Sequence, residues 1–221
     1  MLYICTSEDG TTRSVHLSSM TATREPDPSG QRTVRDRIVA ATLGIIAEEG
    51  LDAVRHRRVA ERAGVSLGST SYHFESRDDL IEAAFLQFLD NATAVLDDLF
   101  PSSPPALGEG HVVVDLLVDL IDREFQDPSQ VLAEYEMILY AARHESVASE
   151  FRRWEAAHSR ALSELLAAVG VERHHDAART LITLVRGIEL ERVSSPNARI
   201  DVRQRIGDVV TGLLGAAPHI L

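Results

Sequence analysis

The amino-acid sequence predicts an all-α protein. Three observations lead there. Apolar residues recur at spacings of four, three and four, as in Val34, Ile38, Ala41 and Ile45, and again in Val202, Ile206, Val209 and Leu213. Residues that cap helices stand just ahead of such stretches. No segment alternates with period two for long enough to build a sheet. With 44% apolar and 25% charged residues among 221, the composition is that of a soluble globular protein. A chain of this length buries a sizeable core without staples.

The elements follow in order. Residues 1–30 are rich in Ser, Thr, Asp, Pro and Gly and read as a disordered N-terminal tail. Met20 inside it is a candidate translation start, which the intact mass of the native product decides. Order begins near Thr33, where Thr33 and Asp36 form a capping arrangement, and Gly50 is the stop. A short helix runs from about Arg55 to Ala63 and ends at Gly64. Ser66 caps a third, reaching about His73. Ser76-Arg77-Asp78-Asp79 is a further cap, and a long helix carries Leu80, Ala84 and Phe88 on to about Phe100. Pro101, Pro104, Pro105, Gly108 and Gly110 break the chain. Helices are then expected at about 111–126, 128–144, 146–168, 172–193 and 201–214.

All 22 basic residues are arginine, against 34 acids, for a net charge of −12. Residues 31–79 hold eight arginines and eight acids, whereas residues 80–221 hold twelve and twenty-two. A nucleic-acid partner therefore suits the first part and not the second. The single Cys5 excludes a disulfide framework and a cysteine-rich zinc module. No basic-then-apolar leader and no membrane-length apolar run is present, so no membrane partner and a cytoplasmic location are expected.

The informative feature is the pair of short helices joined at Ala63-Gly64-Val65-Ser66. Gly64 is suited to the left-handed turn that ends one helix, Val65 plugs the angle and Ser66 starts the next. This is the layout of a helix-turn-helix, whose second helix enters a DNA major groove, although a bundle corner has the same outline. The wider string resembles the TetR family of bacterial transcriptional regulators. It runs through Ile38-Val39-Ala40-Ala41, Glu49-Gly50, Arg57-Arg58-Val59-Ala60-Glu61-Arg62-Ala63-Gly64-Val65-Ser66, Gly68, Tyr72-His73-Phe74 and Ser76-Arg77-Asp78-Asp79-Leu80. The resemblance covers residues 33–85 and implies a helix-turn-helix DNA-binding domain at 31–79. It also implies a helical effector-binding and dimerisation domain at 80–221.

Base reading is expected from Leu67, Gly68, Ser69 and Thr70 on the third helix, started by Ser66. The resemblance implies phosphate contacts for Tyr72 and His73. Arg77 stands where the family usually has lysine and can meet a phosphate with two hydrogen bonds. Phe74 reads as core. Arg55, where the family commonly has Thr or Ser, is a candidate for guanine or phosphate, as is Arg57 beside His56 and Arg58. An ordinary solvated or salt-bridged role stands open for each arginine. Arg24, Arg32, Arg35 and Arg37 are candidates for the adjacent backbone or minor groove.

In the second domain, Phe125, Tyr135, Met137, Ile138, Leu139, Trp154 and His158 offer an apolar lining with a few polar handles, suited to a small hydrophobic effector. Plain core explains each of them too. Leu181, Val185 and Ile188, with Val209 and Leu213, form apolar faces on the last two helices, where the family builds its dimer interface. Burial within one subunit is the alternative. Adjacent His174 and His175 point about 100° apart on a helix and do not easily share an ion, so a helix start is expected there. No nucleophile elbow, phosphate-binding glycine loop or HExxH is present, and no cofactor is expected. The expected protein is a homodimeric, ligand-responsive regulator of a near-palindromic double-stranded DNA operator, with repressor and activator both open. The alternative is a helical carrier or enzyme whose N-terminal hairpin is structural.

Overall fold

The computed structural model describes residues 33–100 and 103–215. The expected tail, with Cys5, Met20 and Arg24, lies outside the described residues, as do Arg32 and Pro101. Among the described residues the chain forms α1 (Val34–Glu49), a 3-10 turn (Leu51–Ala53), α2 (His56–Ala63), α3 (Leu67–His73) and α4 (Arg77–Leu99). It continues as α5 (His111–Glu124), α6 (Pro128–Ala141), α7 (Glu145–Ala168), α8 (His174–Ser194) and α9 (Val202–Gly215), with no strand. The turn at 51–53 was not expected, since three residues are too few to show a period. None of these helices is long and apolar enough to cross a membrane.

The caps form as the side chains require. Thr33 Oγ1 accepts the Asp36 N–H at 3.1 Å, and Asp36 Oδ2 accepts the Thr33 N–H at 3.1 Å. Ser76 and Asp79 repeat that reciprocal box at 3.0 and 2.9 Å, which holds the Asp79 carboxyl below its usual range. Asp127 caps α6, with Pro128 at the first helical position, where its missing N–H costs nothing. Gly50 ends α1.

Two apolar cores result. The first joins Ile38, Ile45 and Ile46 of α1, Val59 of α2, Phe74, and Leu80, Ile81 and Phe85 of α4. It does not stop at residue 79, because Met137 and Tyr140 of α6 complete it. The second joins Val113, Leu117 and Ile121 of α5, Leu162 and Leu166 of α7, Leu181 and Ile188 of α8, and Ile206 of α9. Each fully buried side chain of this size contributes about 1.5–3 kcal/mol.

Candidate nucleic-acid interface and ligand cavity

The α2–α3 corner is built by backbone geometry. Gly64 adopts φ 64° and ψ 39°, a left-handed conformation that disfavours a Cβ. Its N–H reaches the Glu61 carbonyl at 3.3 Å and the Val65 N–H reaches the Ala60 carbonyl at 3.1 Å. These bonds satisfy the last carbonyls of α2 and reverse the chain. Ser66 Oγ then accepts the Ser69 N–H at 3.0 Å, starting α3. His56 Nε2 donates to the Phe74 carbonyl at 2.9 Å, and the Arg35 guanidinium lies 5.2 Å from the centre of the buried Phe74 ring. The corner is thereby tied to α1 and to the start of α4.

This frame decides which side chains reach solvent. Tyr72 is 83% exposed and Leu67 50% exposed, while Ser66, Gly68, Ser71 and His73 are also exposed. Ser69 is half-buried and its hydroxyl meets Ser66 Oγ at 2.9 Å. Thr70 corrects the expectation: it is fully buried, with Oγ1 directed to the Ser66 carbonyl, and cannot read a base. One position of 100° along a helix separates it from exposed Ser71, which the sequence reading passed over.

The arginines divide similarly. Arg58 pairs with Glu49 at 2.7 Å, and Arg62 holds Glu48 through two bonds of 2.7 and 2.5 Å, drawing that carboxyl below its usual range. Arg55 Nη1 donates to the Val54 carbonyl at 2.9 Å and the Asp52 carbonyl at 2.5 Å. Arg57 meets Glu61 at 3.2 Å on a side chain 86% exposed. Arg77 is turned inward, donating from Nη2 to the Leu51 carbonyl at 2.7 Å and from Nε to the Val54 carbonyl at 3.2 Å. Its planar fork therefore closes the 3-10 turn, a role that the expected phosphate contact did not suggest.

A cavity of about 440 Å³ lies among α4, α5, α6, α7 and α8. Phe88, Leu96, Leu117, Leu120, Ile182 and Val185 contribute apolar walls, and Trp154 and His158 line it from α7. Three carboxylates enter from three helices: Glu124 of α5, Glu134 of α6 and Glu189 of α8. Glu189 is 4% exposed, and its Oε2 accepts the Tyr135 hydroxyl at 2.6 Å. Glu124 Oε2 is buried without a hydrogen-bond partner. Burial, aided by the charges of Glu189 and Glu134, pushes the Glu124 carboxyl up to about 10. Burial and Glu189 push Glu134 up to about 7. Burial lowers the His158 imidazole, whose Nδ1 donates to the Trp154 carbonyl at 2.7 Å.

Of the residues expected here, Trp154 and His158 line the cavity, whereas Phe125, Tyr135, Ile138 and Leu139 do not. Phe125 packs under the Arg192 guanidinium at 5.0 Å, and the Tyr135 hydroxyl stands behind the wall, bonded to Glu189 Oε2 at 2.6 Å and to the Arg186 carbonyl at 3.1 Å. Ile138 stands one turn beyond Glu134, and Leu139 is 57% exposed. The α4 wall and the three carboxylates were missed. Their signal was present: Glu189 continues the apolar row of Ile182 and Val185, where a charge is costly.

Leu181, Val185 and Ile188, expected at a dimer interface, are 0%, 6% and 1% exposed within the single chain. The inward stripe of an amphipathic helix and a partner-facing stripe share the same period. Val209 and Leu213 are half-buried against the second core. His174 and His175 form the first turn of α8, both with Nδ1 2.8 Å from Ser163 Oγ.

Comparison with known proteins agrees with this arrangement. Residues 38–84 match the family described as bacterial regulatory proteins, tetR family, and residues 109–216 match the tetracyclin repressor-like C-terminal domain. The nicotine-responsive transcriptional repressor HdnoR of Paenarthrobacter nicotinovorans is 23% identical over 168 residues, spanning 74% of this chain and 85% of that protein. A TetR-family member of Streptomyces coelicolor A3 superposes with a TM-score of 0.63 at 28% identity, over 84% of this chain and 100% of that one. The multidrug binding protein EbrR, complexed with ethidium, superposes with a TM-score of 0.61 at 28% identity, over 83% and 99% of the two chains.

Proposed function

The chain belongs to the TetR family of bacterial transcriptional regulators and is not an enzyme; from that premise we propose a homodimeric, cytoplasmic repressor released from its operator by a small organic effector. The observation that carries the reading is the placement of α4. It starts at Arg77, four residues after the end of α3, and its last turns reach the cavity wall at Val95 and Leu96, so one continuous helix runs from the first candidate site to the second. An effector that prefers one position of α4 shifts DNA affinity by its own difference in affinity for the two states. A nicotine-responsive relative and a multidrug binding one support an organic effector.

DNA contact is assigned to residues 31–79, through exposed Leu67, Gly68 and Ser71 and half-buried Ser69 toward bases and Tyr72 and His73 toward phosphates. Residues 80–221 are assigned to effector binding and dimerisation. The open outer face of α8 and α9 supports the second copy: Leu190 is 49% exposed, and a Cβ at Gly187, Gly207 or Gly212 meets nothing within 4 Å. Two such subunits set their recognition helices roughly 34–36 Å apart and require a near-palindromic site. The alternative of an enzyme with a structural hairpin is set aside by the family.

Footprinting on DNA flanking the native gene, at about 0.15 M salt with excess nonspecific competitor, tests the proposal. A protected near-palindrome supports it. No protected site, there or after random-sequence selection, overturns it.

A further inference from the structure

The charges inside the cavity do not balance. Five carboxylates line it, Glu124, Asp127, Glu134, Glu155 and Glu189, with the guanidiniums of Arg123 and Arg186. Glu155 is matched by Arg186 at 2.9 Å. Arg123 is turned to Asp98, outside the lining, at 2.6 Å. Asp127 is engaged in capping α6, accepting the Ser129 N–H at 3.1 Å, the Ser129 hydroxyl at 2.6 Å and Gln130 Nε2 at 3.3 Å. Glu124, Glu134 and Glu189 are left with no cation of their own. The Arg186 charge reaches Glu134, but its guanidinium is already paired. His158 is the remaining titratable lining group, and burial disfavours its charged form.

Three carboxylates in one apolar enclosure cannot all ionise cheaply. The cavity relieves this by keeping protons, and Glu124 Oε2 remains buried without a partner. An occupant that brings positive charge removes the cost, and a neutral or anionic one does not. Aromatic rings of Phe88 and Trp154 among the lining residues offer faces suited to the same charge.

We propose that the cavity takes an apolar organic cation whose charge is held among Glu124, Glu134 and Glu189. This rests on the reading of the cavity as the effector site, and it names the effector's chemical class. A cation entering displaces protons from Glu124 and Glu134, so its binding tightens as pH rises and releases protons to the buffer.

The test is calorimetric titration of the whole chain at pH 7.5 with 1-methylquinolinium, neutral quinoline and anionic 1-naphthoate. Trp154, the only tryptophan, reports occupancy by its fluorescence. The expected result is binding of the cation about tenfold or more tighter than quinoline, and weaker binding still of naphthoate. Glu134→Gln and Glu189→Gln each lower cation affinity about tenfold and leave quinoline within about twofold, with a cooperative thermal melt showing that the variants fold. Equal or tighter binding of quinoline or naphthoate, no binding of the cation, or unchanged cation binding by both folded variants overturns the proposal. The titration contains no DNA. A chain that takes the cation but protects no operator loses the regulatory reading alone, and one that protects an operator but prefers quinoline loses this inference alone.

Discussion

The Glu136 carboxylate, on α6, accepts the main-chain N–H of Leu51 at 2.5 Å. Leu51 is thereby held from both sides, since its carbonyl receives Arg77 Nη2 from the start of α4 at 2.7 Å. The 3-10 turn between α1 and α2 is fastened to two helices that also line the cavity. Packing is continuous with this contact, because Met137 and Tyr140 of α6 lie in the same core as Ile45 and Phe85.

Glu136→Ala is therefore expected to lower stability by about 1–3 kcal/mol, the range for leaving a donor without its acceptor. In a chain of this size that is a fall in Tm of roughly 2–12 °C. Gly50→Ala disturbs the same contact, because the added Cβ lies 2.9 Å from Glu136 Oε1 and the residue holds φ +83°. Thermal melts of the free protein check both, and unchanged melting shows that the contact contributes nothing.

Arg77→Ala separates two roles. A residue that only meets phosphate leaves the melt of the free protein alone and lowers the salt slope of operator binding by about 1. Because Arg77 closes the Leu51 and Val54 carbonyls, the expected outcome is a lower Tm without any DNA present.

Tyr72→Ala behaves oppositely. The side chain is 83% exposed and packs only edge-to-face with His73 at 5.2 Å, so stability is expected to stay within about 0.5 kcal/mol. Affinity is expected to fall about equally for the operator and for unrelated DNA, as a backbone contact requires. Parallel binding isotherms on the two DNAs decide it.

Acid is expected to stabilise the ligand-free protein through the cavity. Glu124 and Glu134 titrate at about 10 and about 7 when folded, against 4.5 for the free side chain. The folded state thus holds more protons than the unfolded chain above pH 4.5, and stability falls as pH rises, through about 7 for Glu134 and about 10 for Glu124. From pH 6 to pH 8 the loss from the two groups together is on the order of 4 kcal/mol, about 3 from Glu124 and about 1 from Glu134. Glu124→Gln and Glu134→Gln should each flatten the Tm–pH curve over that range; curves parallel to the parent's would contradict the assignment.

Gly187→Arg tests the outer face of α8. Nothing in the single chain lies within 4 Å of a Cβ there, so the fold tolerates it. Sedimentation is expected to show a dimer for the parent and a monomer for the variant, and a dimer for both moves the interface elsewhere.

Local order was legible because its causes are local. Thr33 with Asp36, Ser66, Ser76 with Asp79, and Gly64 act within a few residues, and the apolar spacing of four and three names a buried face without knowing what covers it. The string from Ile38 to Leu80 carried the helix-turn-helix in the same way. Which buried face meets which partner is a long-range matter. Periodicity marked Leu181, Val185 and Ile188 as an apolar face, the family resemblance offered it to a second subunit, and the packing of α8 buried it inside the first. Periodicity placed Thr70 beside Ser69 as a base reader, and the rotation of α3 against α2 buried it. The cavity was least legible of all. It is the space left among five helices, and Glu124, Glu134 and Glu189 stand 10 and 55 residues apart along the chain yet share one low-dielectric enclosure. The raised pKa values of Glu124 and Glu134 arise from that enclosure, which no single segment encodes.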